Sequence, residues 1–229
     1  MSHLILLPGL LCDAALWHAQ SQSLAEAWQV TVPSLAMHNN LPDLAAQVLA
    51  TAPPHFSLAG LSMGGYVAME IMRQAPERVT RLALFDTSAR PDTPEQREKR
   101  QGLIRLSQTG KFKGVTPRLL PMLIHPSNLE NHAITETVLG MAARIGQEGF
   151  ERQQTAILGR IDSRPSLPAI RCPTLVVVGA EDQLTPPEIA HETAGLIPQA
   201  QVTIIPHCGH LPPLEQPERT TELLRHWLA

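Results

Sequence analysis

One serine in this chain is set for nucleophilic chemistry. It lies in Gly60-Leu61-Ser62-Met63-Gly64, with Gly65 behind it, directly after the apolar run Phe56–Ala59 and at the start of a helical pattern, Gly64–Gln74. A Gly-x-Ser-x-Gly turn between a strand and a helix forces the serine into a strained corner that only small neighbours tolerate. The corner exposes the hydroxyl above the strand end. The helix start behind it offers unpaired backbone N–H groups and a partial positive charge to a developing oxyanion.

A serine hydroxyl needs a base, and the base needs an orienting acid. Of ten histidines, His210 is the candidate base, because His207-Cys208-Gly209-His210 directly follows the last apolar run, Val202–Ile205. His207 is its nearby rival, while His125 and His132 fall in a helical stretch that could face a pocket. For the acid, Val178-Gly179-Ala180-Glu181-Asp182 ends the fifth run, which leaves room for Asp182 to turn toward the histidine while Glu181 points to solvent. Asp86, in Leu84-Phe85-Asp86-Thr87 at the end of the fourth run, is the alternative acid. Cys208-Gly209-His210 lacks the second Cys/His pair that a zinc site requires, so no metal is expected. Serine chemistry of this kind needs no cofactor, and none is expected.

These groups can meet only if the fold brings strand ends together. Six short apolar runs bounded by Pro or Gly read as buried strands: His3–Leu7, Gln29–Val32, Phe56–Ala59, Arg81–Phe85, Thr174–Val178 and Val202–Ile205. Helical patterns lie between them at Ala14–Trp28, Leu44–Leu49, Gly64–Gln74, Glu188–Leu196 and Glu218–Leu228, several with proline at the start. The alternation predicts an α/β fold, a mostly parallel six-stranded sheet flanked by helices. In such a sheet, sites gather at the carboxyl ends of the strands, where Ser62, Asp182 and His210 all fall.

One stretch breaks the alternation. Residues 90–166 carry no β-branched run and read as helices over Glu95–Gln108, Leu129–Ile145 and Glu148–Gly159. That is too long for an ordinary loop. The expected organisation is therefore a core of residues 1–89 and 167–229 with a helical cap, 90–166, inserted after the fourth strand. Arg90–Lys113 holds seven Lys/Arg against three acids, a local charge of +4 in a chain whose formal charge is −3. This basic stretch could dock an acidic carrier protein or an anionic substrate tail.

Composition narrows the rest. The chain has 229 residues, 43% hydrophobic and 17% charged, which is enough for a real core. The net negative charge and eight scattered aromatics argue against nucleic-acid partners. Three cysteines, Cys12, Cys172 and Cys208, give no disulfide framework. No apolar run approaches a membrane span, and the start lacks the features of a signal peptide, so a cytoplasmic protein without a membrane partner is expected. The 21 prolines sit beside strand ends and at helix starts, which fits a chain that fixes many loops.

Four motifs in order, Leu7-Pro8-Gly9-Leu10, Gly60-Leu61-Ser62-Met63-Gly64, Gly179-Ala180-Glu181-Asp182 and Gly209-His210, make the chain resemble the α/β-hydrolase superfamily along nearly its whole length. The chain order Ser62, Asp182, His210 is the superfamily's order. The chain is similar to the small bacterial serine esterases, pimeloyl-carrier-protein methyl esterases and lactonase-like members among them. The resemblance implies that the backbone N–H groups of Met63 and Leu10 form the oxyanion hole. Relatives often carry His-Gly where this chain has Pro8-Gly9, and often have two further strands before the first one seen here. The implied activity is cleavage of a carboxylic ester of a small or carrier-bound acyl substrate through an acyl-enzyme. Lactonase, thioesterase and acyl-transferase chemistry use the same triad, and a hydrolase-like ligand receptor can keep it.

Overall fold

The computed structural model describes residues 2–229. Its centre is one sheet of six parallel strands, β1 (Ser2–Leu7), β2 (Trp28–Thr31), β3 (Phe56–Leu61), β4 (Val79–Phe85), β5 (Thr174–Gly179) and β6 (Ala200–Ile205), in the order β2-β1-β3-β4-β5-β6. All six predicted strands are present. The inner four are largely buried along their length, whereas β2 and β6 alternate with solvent, because they are the edges of the sheet.

The two-residue period of a strand sends alternate side chains to opposite faces. Ile5, Leu7, Leu58, Leu82, Leu84, Val176 and Val178 enter one core. It is covered by α2 (Leu41–Thr51), α3 (Met63–Gln74) and α7 (Pro187–Gly195) through Leu44, Val48, Val67, Ile71, Ala190 and Ala194. Leu4, Leu6, Ala59, Leu61, Ala83, Phe85, Leu175 and Val177 enter the other. There they meet Trp17 and Leu24 of the first helical region and Leu224 and Trp227 of α9 (Pro217–Leu228). The first predicted helix is shorter than its pattern: a 3-10 turn, Ala14–Trp17, capped by Asp13, leads into α1 (His18–Leu24). The second starts earlier than expected, because Asn40 accepts the Asp43 N–H at 2.8 Å and caps α2.

Between β4 and β5 every regular element is helical: α4 (Pro94–Leu106), a single turn α5 (Leu120–Leu123), α6 (His132–Leu158) and short 3-10 and π turns. Thr93 and Gln96 form the reciprocal capping box at the start of α4. Gly146 leaves helical geometry at φ 69° and ψ −177°, so α6 is two helical pieces meeting where the pattern divides them. Ile134, Val138 and Met141 pack on one side of the sheet, and Ala156 and Ile157 on the other. A final single turn, α8 (Pro212–Glu215), joins β6 to α9. Among the described residues no helix is long and apolar enough to cross a membrane.

Candidate active site

Strand order assembles the predicted residues. β1 runs to β2 on one side and β3 lies on its other side, so the chain reverses direction between β1 and β3, where open parallel sheets leave a crevice. Leu7 pairs with Gly60, so the loops carrying Leu10 and Ser62 leave the sheet side by side. From there the rim continues with Ser62 after β3, Asp86 after β4, Asp182 after β5 and His210 after β6, on four adjacent strands.

Ser62 adopts φ 53° and ψ −113°, a strained conformation for a residue with a side chain. Its N–H donates to Phe85 O at 2.9 Å, and the Thr87 hydroxyl donates to Ser62 O at 2.8 Å, so β4 and its following loop pin the corner from the next strand. A Cβ on Gly64 would overlap the Leu7 carbonyl, so this glycine lets the corner lie against the loop after β1. Met63 is the first residue of α3, and its N–H is one of the orphan donors of the helix start. Neither Met63 N nor Leu10 N has a protein acceptor among the described residues. The next residue, Leu11, sits at φ 57° and donates its N–H to Gln153 Oε1 at 2.9 Å.

His210 Nδ1 and Asp182 Oδ2 are 2.8 Å apart, with side chains 5% and 0% exposed. Thr185 Oγ1 donates to the same carboxylate oxygen at 2.6 Å, and Leu184 N and Thr185 N donate to the other at 2.8 and 3.2 Å. Burial pushes the Asp182 carboxyl up, but the His210 charge and these donors outweigh it and hold it well below the usual carboxylate range. An acceptor on Nδ1 places the neutral ring's proton there and leaves the Nε2 lone pair free to take another. Among the described residues no hydrogen bond joins Ser62 Oγ to His210, a contact that in enzymes without substrate is often loose.

The rivals are placed elsewhere. Asp86 is 1% exposed at φ 42°; its Oδ1 accepts the Gly179 N–H at 2.9 Å, and its Oδ2 has no hydrogen-bond partner. Burial first, then the neighbouring Asp182 charge, raise its pKa well above the ordinary value. His207 is exposed at φ 53° and among the described residues hydrogen-bonds neither aspartate. Glu181 does more than face solvent, since it accepts the Cys208 N–H at 3.0 Å. Cys12 is pushed up to about 12 by burial and the Asp13 charge, and Cys208 is pushed up by burial and Glu215, so neither thiol competes as a nucleophile.

Among the described residues two clusters have the makings of a metal site. One is Asp86, Asp182 and His210, of which the last two are already bonded to each other; the second is His125, Glu181 and His207. In the second, His125 Nδ1 accepts the Ser127 N–H at 3.1 Å. The same ring nitrogen lies 2.7 Å from the Ser127 hydroxyl, so it is already engaged within its own turn.

Two residues beside the site have no signal in the sequence. Gln153, fully buried on α6, accepts the Leu11 N–H and donates to Leu35 O at 3.2 Å, fixing the loops after β1 and β2. Glu215, at the end of α8, collects backbone N–H groups on both sides of His210.

The Alpha/beta hydrolase family model matches residues 4–223. The chain is 28% identical over 232 residues to the pimeloyl-[acyl-carrier protein] methyl ester esterase of Nitrosomonas europaea, covering 94% of this chain and 91% of that one. Among solved structures, a thermophilic esterase from Thermogutta terrifontis with malate bound superposes at TM-score 0.88 and 34% identity, covering 100% of this chain and 89% of the other. The enol-lactonase of Burkholderia xenovorans shares the fold at TM-score 0.87 and 22% identity, over 99% of this chain and 91% of the lactonase. Carrying the parallel sheet, the strand-end serine turn and a model match over nearly every residue, this chain belongs to the alpha/beta hydrolase family.

Proposed function

We propose that the chain cleaves carboxylic esters through an acyl-enzyme on Ser62, with His210 as base and acid and Asp182 as its orienting partner. The observation that carries this reading is the buried 2.8 Å His210 Nδ1–Asp182 Oδ2 contact on the rim that also bears the strained Ser62. His210 Nε2 takes the Ser62 Oγ proton as that oxygen bonds to the ester carbon. The carbonyl π electrons move onto oxygen, facing the N–H groups of Leu10 and Met63. As the carbonyl re-forms, the C–O bond to the alcohol breaks and the alkoxide leaves with the proton from His210. Water then gives its proton to His210, attacks the acyl carbon and releases the acid, and Ser62 recovers its proton. Asp182 keeps the imidazole in the working tautomer and stabilises its charged form.

Residues 90–166 act as a cap over the rim, and the substrate is a small acyl ester. A carrier-bound form of it is favoured by the exposed Arg97, Lys99 and Arg105 on α4 and by the names of the curated relatives. Arg100 does not belong to that surface: it pairs with the buried Asp92 at 2.9 Å, which Arg160 also grips at 2.7 Å. Free thiols at Cys12, Cys172 and Cys208 fit a cytoplasmic setting. The test is turnover on a panel of free methyl esters, carrier-bound methyl esters, thioesters and lactones. Methyl esters are expected to lead. Ser62→Ala should lower kcat by a factor on the order of 10⁶, and a folded Ser62→Ala protein with parental turnover removes Ser62 as the nucleophile.

A further inference from the structure

Glu215 is 6% exposed and gathers donors from two parts of the chain. Its Oε1 accepts the Gly209 N–H at 3.0 Å and the Leu211 N–H at 3.1 Å, the amides on either side of His210, and the Cys208 thiol lies 3.9 Å away. Its Oε2 accepts the His125 N–H at 2.5 Å and Asn128 Nδ2 at 3.0 Å, both from the helical segment between β4 and β5. The amide of His210 itself donates to Leu123 O at 2.9 Å in the same segment. A Cβ on Gly209 would run into the backbone of Ile124 and His125, so the histidine loop and the segment lie backbone to backbone. Two of the three amides from Gly209 to Leu211 therefore end on one carboxylate, and the third ends on the insertion.

We infer that Glu215 is a positioning residue: it ties residues 123–128 to the histidine loop, so that the working position of His210 depends on the insertion staying docked. This rests on His210 being the base proposed above. A carboxylate suits the task because it only accepts, on two oxygens separated widely enough to serve both segments at once. A glutamine keeps the size and one acceptor oxygen, but turns an NH2 group toward donors on one side or the other. A methyl side chain leaves all four N–H donors without a partner and endangers the fold, so Glu215→Gln is the informative change.

The experiment measures kcat and KM on a soluble ester for the parent, Glu215→Gln, Asn128→Ala, the double variant and His210→Ala, with circular dichroism confirming the fold of each. Displacing a catalytic group by about 1 Å can cost on the order of 10²-fold in rate. Glu215→Gln is expected to lower kcat by about 10- to 100-fold with KM within about twofold of the parent. Asn128→Ala, which removes one donor on the insertion side, is expected to lower kcat by a smaller factor and to add nothing in the Glu215→Gln background, as coupled neighbours do. If Glu215→Gln does not fold, Asn128→Ala decides alone. Parental kcat in the folded variants, a change confined to KM, or independent multiplication of the two effects overturns the assignment. Parental turnover by His210→Ala would instead show that the base was misidentified.

Discussion

Replacing Asp86 by asparagine should change how stability depends on pH while sparing catalysis. The Asp86 carboxyl is fully enclosed, and only Oδ1 has a donor, the Gly179 N–H at 2.9 Å. Burial and the Asp182 charge keep its proton bound well above the ordinary pH. The groups facing it are Asp182, Glu215 and His210. In the unfolded chain the same carboxyl releases its proton near pH 3.9. Between that value and the folded one, the folded state holds a proton that the unfolded state has lost. Stability from this group is therefore complete below about pH 3.9 and drains away as pH rises, at about 1.4 kcal/mol per pH unit. Asparagine keeps an oxygen for Gly179 and has no proton to lose, so Asp86→Asn should be progressively more stable than the parent as pH rises. Urea unfolding of both proteins at a series of pH values measures this. Parallel curves refute the claim that Asp86 is held neutral. A fall in kcat to the level of an Asp182 variant would show instead that Asp86 is the acid partner of His210.

Asp182→Asn should lower kcat by up to about 10⁴-fold, the loss seen when a triad acid is neutralised. Removing that charge also relieves Asp86 of its ionised neighbour and lets it titrate lower, so Asp182→Asn should keep measurable steady-state turnover that Asp182→Asn/Asp86→Asn loses. Gln153→Leu strips the acceptor from Leu11 N and the donor from Leu35 O, each worth about 1–3 kcal/mol when buried and unpaired. It should lower the melting temperature and reduce kcat more than KM, because Leu11 sets the loop that presents the Leu10 N–H. Thermal melts and saturation kinetics on one ester check both.

How much of this was readable in the residues follows from how local each cause is. The Ser62 corner was legible because its glycines and flanking strand are contiguous in sequence, and Gly64 is needed for contact with Leu7. Asp182 and His210 could be read as neighbours because each follows a strand of one parallel sheet, although neither Glu181 nor His207 could be set aside without their actual contacts. The edge positions of β2 and β6 were not legible, since strand order is decided by distant pairing rather than by the runs themselves. Arg100 read as one charge in a basic stretch, yet its partner Asp92 and the second cation Arg160 place it in a mostly buried cluster. Gln153 left no trace because its Leu11 partner lies 142 residues away along the chain, and Glu215 because its link to the insertion spans 90, while an isolated Gln or Glu ordinarily reads as surface.

The order of strands across the sheet also orders events during synthesis. The strained serine, its flanking β1, β3 and β4 and the loop bearing Leu10 all belong to the first 87 residues, whereas His210 follows the last strand and Glu215 lies in the turn after it. A chain still lacking β6 and α8 carries the Ser62 corner but not the loop that holds His210. If Ser62 and His210 act as proposed, a chain in which β6 has not yet folded onto the edge of the sheet is expected to lack esterase activity.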